Sequence, residues 1–256
     1  MSDGEAWTAL GSELAQWPAT GRQATFWWRD DDAILPSAAL DRLLALRARF
    51  RVPLALAVIP APAEPALASR LSFDRDVLVL QHGWRHLNHR PQGERAAELG
   101  EDRPADTVLD EARQGHAKLA RLFSGRFLPV MVPPWNRIAP GIAAALGDAG
   151  LRGLSTFGPR PRDALLAQVN AHVDPVAWRA GRGFVGAAKA VGMAIAHLQA
   201  RRAGKADPDE PTGLLTHHLA HDEAVWDFAA AFLAATVAHP AARWVAAAEA
   251  FGFKPA

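Results

Sequence analysis

The sequence predicts an α/β fold built on a mostly parallel sheet, and three observations carry that prediction. Apolar runs of strand length alternate with longer helical patterns about seven times along 256 residues. The apolar runs lack strict polar–apolar alternation, which is how strands buried on both faces read. No Gly-rich dinucleotide fingerprint follows the first strand, and no phosphate-binding loop motif occurs. That tilts the choice between a doubly wound sheet and a (β/α) barrel toward the barrel.

Each element has its own signal. Ala24–Trp28 is short, apolar and aromatic-rich, and it runs into Arg29-Asp30-Asp31-Asp32. Ser37 can cap a helix over Ala38–Phe50, because its hydroxyl can accept a free N–H of the first turn. Leu40, Leu43, Leu44 and Leu46 then share one side. Leu54–Ile59 is a second strand, closed by Pro60. Glu64–Leu71 is a short helix that tolerates Pro65 in its first turn. Val77–Leu80 is a third strand, ending at Gln81-His82-Gly83. Arg90–Arg103 is polar, carries Gly and Pro, and reads as a loop. Asp106 is placed as the cap of a helix to about Phe123, stopped by Ser124-Gly125. Phe127–Val132 is a strand ending in Pro133-Pro134, and Pro140–Ala149 is a helix ended by Gly150. Leu154–Phe157 and Val169–Val173 are short strands, and Phe184–Arg202 is a helix. Gly213–Thr216 is the last clear strand, Asp222 caps a helix to about Ala238, and Val245–Phe251 reads as helical. With no long linker or composition break, residues 1–256 read as a single domain.

Composition bounds the chemistry. The chain has no cysteine, which excludes disulfides, thiolate nucleophiles, iron–sulfur clusters and cysteine-bound zinc. Any metal must be held by His, Asp or Glu. Lys plus Arg is 28 against 27 Asp plus Glu, so there is no global basic field for nucleic acid. Residues 1–17 carry Asp3, Glu5 and Glu13 and lack the basic start and apolar core of a signal peptide. No apolar stretch reaches the ~18–20 residues of a membrane span. The expectation is a cytoplasmic protein whose partner is a small-molecule or saccharide substrate, with neither nucleic acid nor membrane.

In a parallel barrel, the residues after each strand gather at one end. The three aspartates follow the first strand. His82, His86 and His89 follow the third, and Pro133 to Arg137 the fourth. His172, Asp174 and Trp178 lie near the sixth, and His217, His218 and His221 follow the last. Adjacent carboxylates repel one another unless a cation or donor stands nearby. His82 and His86, four apart, offer imidazole nitrogens of the kind divalent metals accept. One aspartate with two histidines makes a facial triad with open positions, suited to zinc hydrolysis or ferrous oxygen chemistry. A second carboxylate can serve as general base and a histidine opposite as acid.

These motifs resemble the polysaccharide deacetylases, carbohydrate esterase family 4. That family opens with a strand and Thr-Phe-Asp-Asp-Gly, matched here by Trp28-Arg29-Asp30-Asp31-Asp32-Ala33. Its His-[Ser/Thr]-x-x-His is His82-Gly83-Trp84-Arg85-His86. Its Arg-Pro-Pro-Tyr-Gly is Val132-Pro133-Pro134-Trp135-Asn136, and its final Leu-x-His is Leu215-Thr216-His217. The resemblance implies an incomplete (β/α) barrel of about seven parallel strands. It implies a metal-dependent hydrolase that removes acetyl groups from an N- or O-acetylated sugar derivative. The cofactor it implies is a divalent cation, zinc first, with cobalt, nickel or manganese as substitutes.

By the same resemblance Asp31 is the base, and Asp32, His82 and His86 are the metal ligands. The Trp135 N–H helps hold the oxyanion, and His217 is the acid. Trp84, Pro134, Asn136 and His218 are placed around the substrate. Three departures keep alternatives open. The aspartate run is one residue longer than the family's pair, so Asp30 and Asp31 could take those roles, although Ala33 in the Gly position favours Asp31 and Asp32. His218 competes with His217 as the acid. Val132 replaces the arginine that steadies the base in the family, leaving Arg137 or Arg29 to substitute. Asp174 and Trp178 loosely match the family's Asp- and Trp-containing motif, and His89 and His221 flank the clusters. The competing functions are an amidase acting on a non-carbohydrate C–N bond, a ferrous oxygenase, and a decayed binding domain on the same scaffold. Elsewhere the plain reading holds. His116, His197 and His239 read as surface or capping groups, and Arg201, Arg202 and Lys205 as a solvated helix terminus. One of Trp27 and Trp28 reads as core, while the other is free to stack on a sugar.

Overall fold

A computed structural model describes residues 2–178 and 181–253. The helices are α1 (Asp3–Leu14), α2 (Ala38–Phe50), α3 (Pro65–Leu71), α4 (Ala105–Leu122), α5 (Pro140–Ala145), α6 (Ala187–Arg202), α7 (Glu223–Val237) and α8 (Ala247–Ala250). The strands are β1 (Ala24–Ala33), β2 (Leu54–Val58), β3 (Val77–His82), β4 (Phe127–Val132), β5 (Gly153–Leu154), β6 (Ala167–Gln168), β7 (Thr212–Thr216) and β8 (Ala242–Trp244). Every strand pairing is parallel, in the order β6-β5-β4-β3-β2-β1-β7, with β8 against the start of β1. The sheet curls into an incomplete barrel. Its two ends meet where Val173, just past β6, bridges Leu214 of β7.

Strand alternation sorts the side chains into two layers. Inside the barrel, Trp27 of β1 packs with Ala55, Ala57, Leu80, Val130, Val132 and Val169. The two alanines leave room for the indole. Outside, Phe26 and Trp28 pack in the larger core with Leu40 of α2, Leu198 of α6 and Phe232 of α7. Both tryptophans are therefore core, and neither is free to stack on a sugar. Each large apolar side chain buried in this way is worth about 1.5–3 kcal/mol.

The capping logic holds at Ser37 and Asp222, whose side chains accept the N–H of Leu40 and Val225. It fails at Asp106, because α4 already starts at Ala105, with Pro104 in the cap position two residues before Asp106. Val169–Val173 does not form a strand. The β6 ladder lies at Ala167–Gln168, and only single bridges at Ala171 and Val173 follow. Of residues 245–251 only Ala247–Ala250 are helical, as the short α8, and β8 ends just before them at Trp244. The elements expected from the sequence leave out residues 3–14. These residues form α1, closed by a Ser2–Glu5 capping box, with Ala6, Leu10 and Leu14 buried against α6. No helix among the described residues is long and apolar enough to cross a membrane.

Candidate active site

The three aspartates lie inside β1 rather than after it, and the sheet separates them. Asp30 pairs in register with Leu56 and Thr216, while the register to β2 shifts between Asp30 and Ala33. This bulge absorbs the extra residue, and Asp32 takes a left-handed φ of 73° within it. Alternation puts Arg29 and Asp31 on the barrel-interior side with Trp27. Asp30 goes to the opposite side with Trp28.

His82, the last residue of β3, and His86 both reach Asp32. Asp32 Oδ1 lies 3.0 Å from His82 Nε2 and 3.3 Å from His86 Nε2. The turn between the histidines depends on Gly83, at φ 56°. A Cβ there would come within 1.9 Å of Glu98 Oε2 and 2.7 Å of the Pro134 ring. Glu98 is needed in place, since it accepts the N–H of Trp84 at 3.0 Å and of Arg85 at 2.7 Å. Nothing in the sequence spacing marked Glu98 as the support of this turn.

The chemistry of this donor set fits a cation. The carbonyl of Val132 lies 2.9 Å from His82 Nδ1 and can only accept, so Nδ1 carries a hydrogen. In neutral His82 the Nε2 lone pair then faces the Asp32 carboxylate, two acceptors with no hydrogen between them. A divalent ion resolves that clash, and the backbone carbonyl behind the ring is the usual second partner of a metal-bound histidine. In its absence a proton must serve. Burial opposes charge on His82, but Asp32 and Asp31 outweigh it and hold its pKa above the ordinary value. Burial also opposes charge on Asp32, and His82 outweighs it to hold that carboxyl far below the usual range. His86 is pushed down by burial and by His82.

Asp31 is buried and held by Arg29. Arg29 Nη2 donates to Asp31 Oδ2 at 3.1 Å and to Asn136 Oδ1 at 2.6 Å. Its Nη1 donates to Ser155 Oγ at 2.6 Å and to the Thr156 carbonyl at 3.2 Å. Nε lies 2.9 Å from Asp31 Oδ1 without its N–H aimed along that line, so this contact is one of charge alone. The arginine that holds this carboxylate thus comes from β1, two residues before it, while position 132 is valine. Arg137 instead donates to the Ala96 carbonyl at 2.6 Å.

After β4 the chain turns through Trp135 (φ 56°) and Asn136 (φ 57°), two left-handed non-glycine residues in succession. Asparagine bears that conformation easily, but tryptophan does so at a cost of about 1–3 kcal/mol. The turn's backbone hydrogen bonds use the N–H groups of Asn136 and Arg137. Trp135 packs its ring 4.3 Å from His86.

His217 stands across from this group, with Nε2 3.9 Å from Asp31 Oδ2. Trp178 packs edge-on against its imidazole at 4.6 Å and donates Nε1–H to Asp174 at 2.8 Å. Burial pushes the Asp174 carboxyl up, with His217 opposing. Burial also lowers His221 to about 4.

One cavity of about 610 Å³ collects these groups. It is lined by Asp31, Asp32, His82, His86, Trp135, Asn136, Arg137, Asp174 and His217, joined by Phe157, Trp178 and Arg182. Nothing in the sequence marks Phe157 or Arg182 as a site residue: Phe157 stands at the end of an expected strand whose ladder stops at Leu154, and neither residue belongs to a motif. Five other expected residues lie off its walls. Trp84 lines a separate crevice with Glu98 and Arg103. Pro134 and His89 do not line the cavity. Asp30 and His218 pair with each other beneath the surface, because alternation turns them away from the interior.

A second cluster has the composition of a metal site without its geometry. His172 Nε2, His197 Nε2 and a Glu210 oxygen converge in the interior, so His197 is buried rather than on the surface. The rings stack 3.4 Å apart at 14°. An ion midway between near-parallel rings lies well outside the plane of each, where neither lone pair points. The Gly213 N–H also donates into His172 Nδ1 at 3.0 Å, which leaves the hydrogen of a neutral ring on Nε2, facing Glu210. The two rings stand 3.6 and 3.7 Å from Glu210, beyond hydrogen-bond reach, and the carboxylate's hydrogen bonds come from the N–H groups of Arg160 and Asn170. Arg201 sits nearby, likewise buried, with its guanidinium on the Thr25 carbonyl and hydroxyl and over the Trp17 ring. It is not a solvated terminus, and burial lowers it to about 10.

That cluster sets an acid limit on stability. Burial lowers His172 to about 4, so below pH 6.5 the unfolded chain takes up a proton that the folded chain refuses. Its contribution is whole above pH 6.5 and declines as pH falls toward 4. Glu210, held at about 2 by the two histidines against its burial, adds loss in the same direction below its ordinary 4.5. Urea midpoints of His172→Gln are expected to fall less steeply than those of the parent between pH 6.5 and 4. The difference is on the order of 3 kcal/mol. Parallel slopes would show that His172 does not titrate in this way.

No protein-family model matches the sequence, and no curated protein matches it. Solved structures do match its fold. A Mycobacterium smegmatis protein described as a polysaccharide deacetylase aligns at 16% identity with a TM-score of 0.64, over 91% of this chain and 93% of that one. The chitin deacetylase of Colletotrichum lindemuthianum aligns at 15% identity and a TM-score of 0.56, over 91% and 90%. A family 4 acetyl xylan esterase of Clostridium thermocellum, solved with cobalt, aligns at 12% identity and a TM-score of 0.53, over 90% and 93%. The fold is that of the polysaccharide deacetylases and family 4 esterases, and the low identity marks a divergent sequence.

Proposed function

We propose that the chain is a metal-dependent hydrolase that removes an acetyl group from an N-acetylated, or O-acetylated, sugar derivative. One observation carries the reading. A single cavity holds a cation-shaped donor set, a buried carboxylate beside it and a histidine opposite. Asp32, His82 and His86 would hold the ion, zinc first, with cobalt, nickel or manganese as substitutes. When bound, it supplies Lewis acidity toward a carbonyl oxygen and lowers the pKa of water.

The chain's own groups do the rest. Arg29 orients Asp31, and Asp31 takes the proton from the attacking water. The Trp135 N–H, left free by its turn, donates to the oxyanion as the carbonyl carbon becomes tetrahedral. His217 gives a proton to the departing nitrogen or oxygen as its bond to the acyl carbon breaks. Acetate and a free amine or hydroxyl result. Trp135, Trp178 and Phe157 offer apolar faces on which a sugar ring can stack.

Elemental analysis tests the centre. About one divalent ion per chain is expected, lost in Asp32→Ala and in His82→Ala. A parent protein that binds no divalent ion overturns the reading. Acetate release from acetylated amino sugars, with simple amides alongside, tests the substrate. Turnover of the amides alone would assign a non-carbohydrate amidase to the same residues. Ion binding without any turnover would favour the decayed binding domain.

A further inference from the structure

Asp30 is the aspartate that neither the cation nor the base position uses. It is wholly buried on the outer side of β1, yet its carboxylate is fully engaged. Thr216 donates its hydroxyl to Oδ2 at 2.7 Å, and the His218 N–H donates to the same oxygen at 3.0 Å. His218 Nδ1 donates to Oδ1. Trp28 Nε1 donates to Thr216 Oγ1 at 2.8 Å, which directs the threonine hydrogen toward Asp30.

Thr216 and His218 are the two neighbours of His217 in the chain. The backbone of His217 is tied as well: its N–H donates to His221 Nε2 at 3.0 Å, and its carbonyl accepts from Ala220 at 2.7 Å. Burying a charge pair is costly, and an apolar pair of similar volume would serve stability as well. What the pair adds is direction, at the point where the chain leaves β7 and the sheet no longer fixes it.

We propose that Asp30 is a positioning residue for His217. Gripping Thr216 and His218 on either side, it aims the imidazole across the cavity at Asp31. The claim rests on the acid role proposed for His217. Asp30 acts only through that histidine and does not touch substrate.

The test uses leaving groups. An N-acetylated amine must be protonated to depart, whereas 4-nitrophenolate leaves from its acetate ester unaided. In Asp30→Asn, kcat on the amide is expected to fall up to about 100-fold, as for a catalytic group displaced by about 1 Å. KM, ion content and ester turnover are expected to stay close to the parent values. His218→Asn keeps a donor where Nδ1–H stood and is expected to retain amide turnover. His218→Gln places its amide where the unpartnered Nε2 stood and is expected to fall with Asp30→Asn. Equal losses on amide and ester, or no loss on either, would overturn the proposal. If the parent turns over neither substrate, the functional reading fails by itself. The crystal structure of Asp30→Asn then decides the positioning claim, with an unmoved His217 ring as the overturning result.

Discussion

Asp31→Asn is expected to retain the cation and lose turnover by about 10²–10⁴-fold, the usual contribution of a positioned general base. The side chain keeps its shape and can still accept from Arg29 Nη2, which holds it at 3.1 Å. What it loses is the ability to take a proton. The expected signature is a fall in kcat and kcat/KM together, with unchanged ion content by elemental analysis. Loss of the ion would make Asp31 a ligand rather than a base. Intact turnover would move the base to another carboxylate, and Asp174 is the remaining one on the cavity wall.

Much of this geometry was legible in the sequence, because strand ends announce themselves. The apolar run before Gln81-His82 and the run before His217 each place ligand-type residues at one end of a parallel sheet. What was not legible depended on which face of a strand or helix each residue occupies. Aspartate is a poor strand former, so the first strand reads as ending at Trp28. Ladder pairing to β2 and β7 overrides that propensity and carries β1 to Ala33. Only the bulge then shows that the third aspartate divides the run between two faces.

The same limit hid the buried charges. His197 and Arg201 stand four apart on α6, facing the Thr212 hydroxyl. A charged residue in a last turn reads as solvated because few are buried. Its partners here, Thr25, Thr212 and Pro208, come from distant parts of the chain or from the turn beyond the helix. Arg29 was one of two arginines that could replace the missing motif residue. No spacing rule separates it from Arg137. The deciding fact is that residues i and i+2 of a strand share a face, which puts Arg29 beside Asp31 and inside the barrel.

Arg29→Met is expected to destabilise the fold by about 3–5 kcal/mol, the usual result of removing one partner from a buried ion pair. All four terminal N–H groups of Arg29 are engaged, so the loss reaches Asn136, Ser155 and Thr156 as well as Asp31. Lysine is not a conservative replacement, since one ammonium cannot span four acceptors placed for a planar fork. The stranded carboxylate is the larger part of the penalty, and this makes the effect separable. Adding Asp31→Asn to Arg29→Met removes the unpaired charge, so the double variant is expected to be more stable than Arg29→Met alone. Urea midpoints of the four proteins measure that coupling directly. Additive losses would mean that Arg29 is held by its neutral partners and that Asp31 does not depend on it. Coupling would mean that the arginine absent from the fourth strand is present in function on the first.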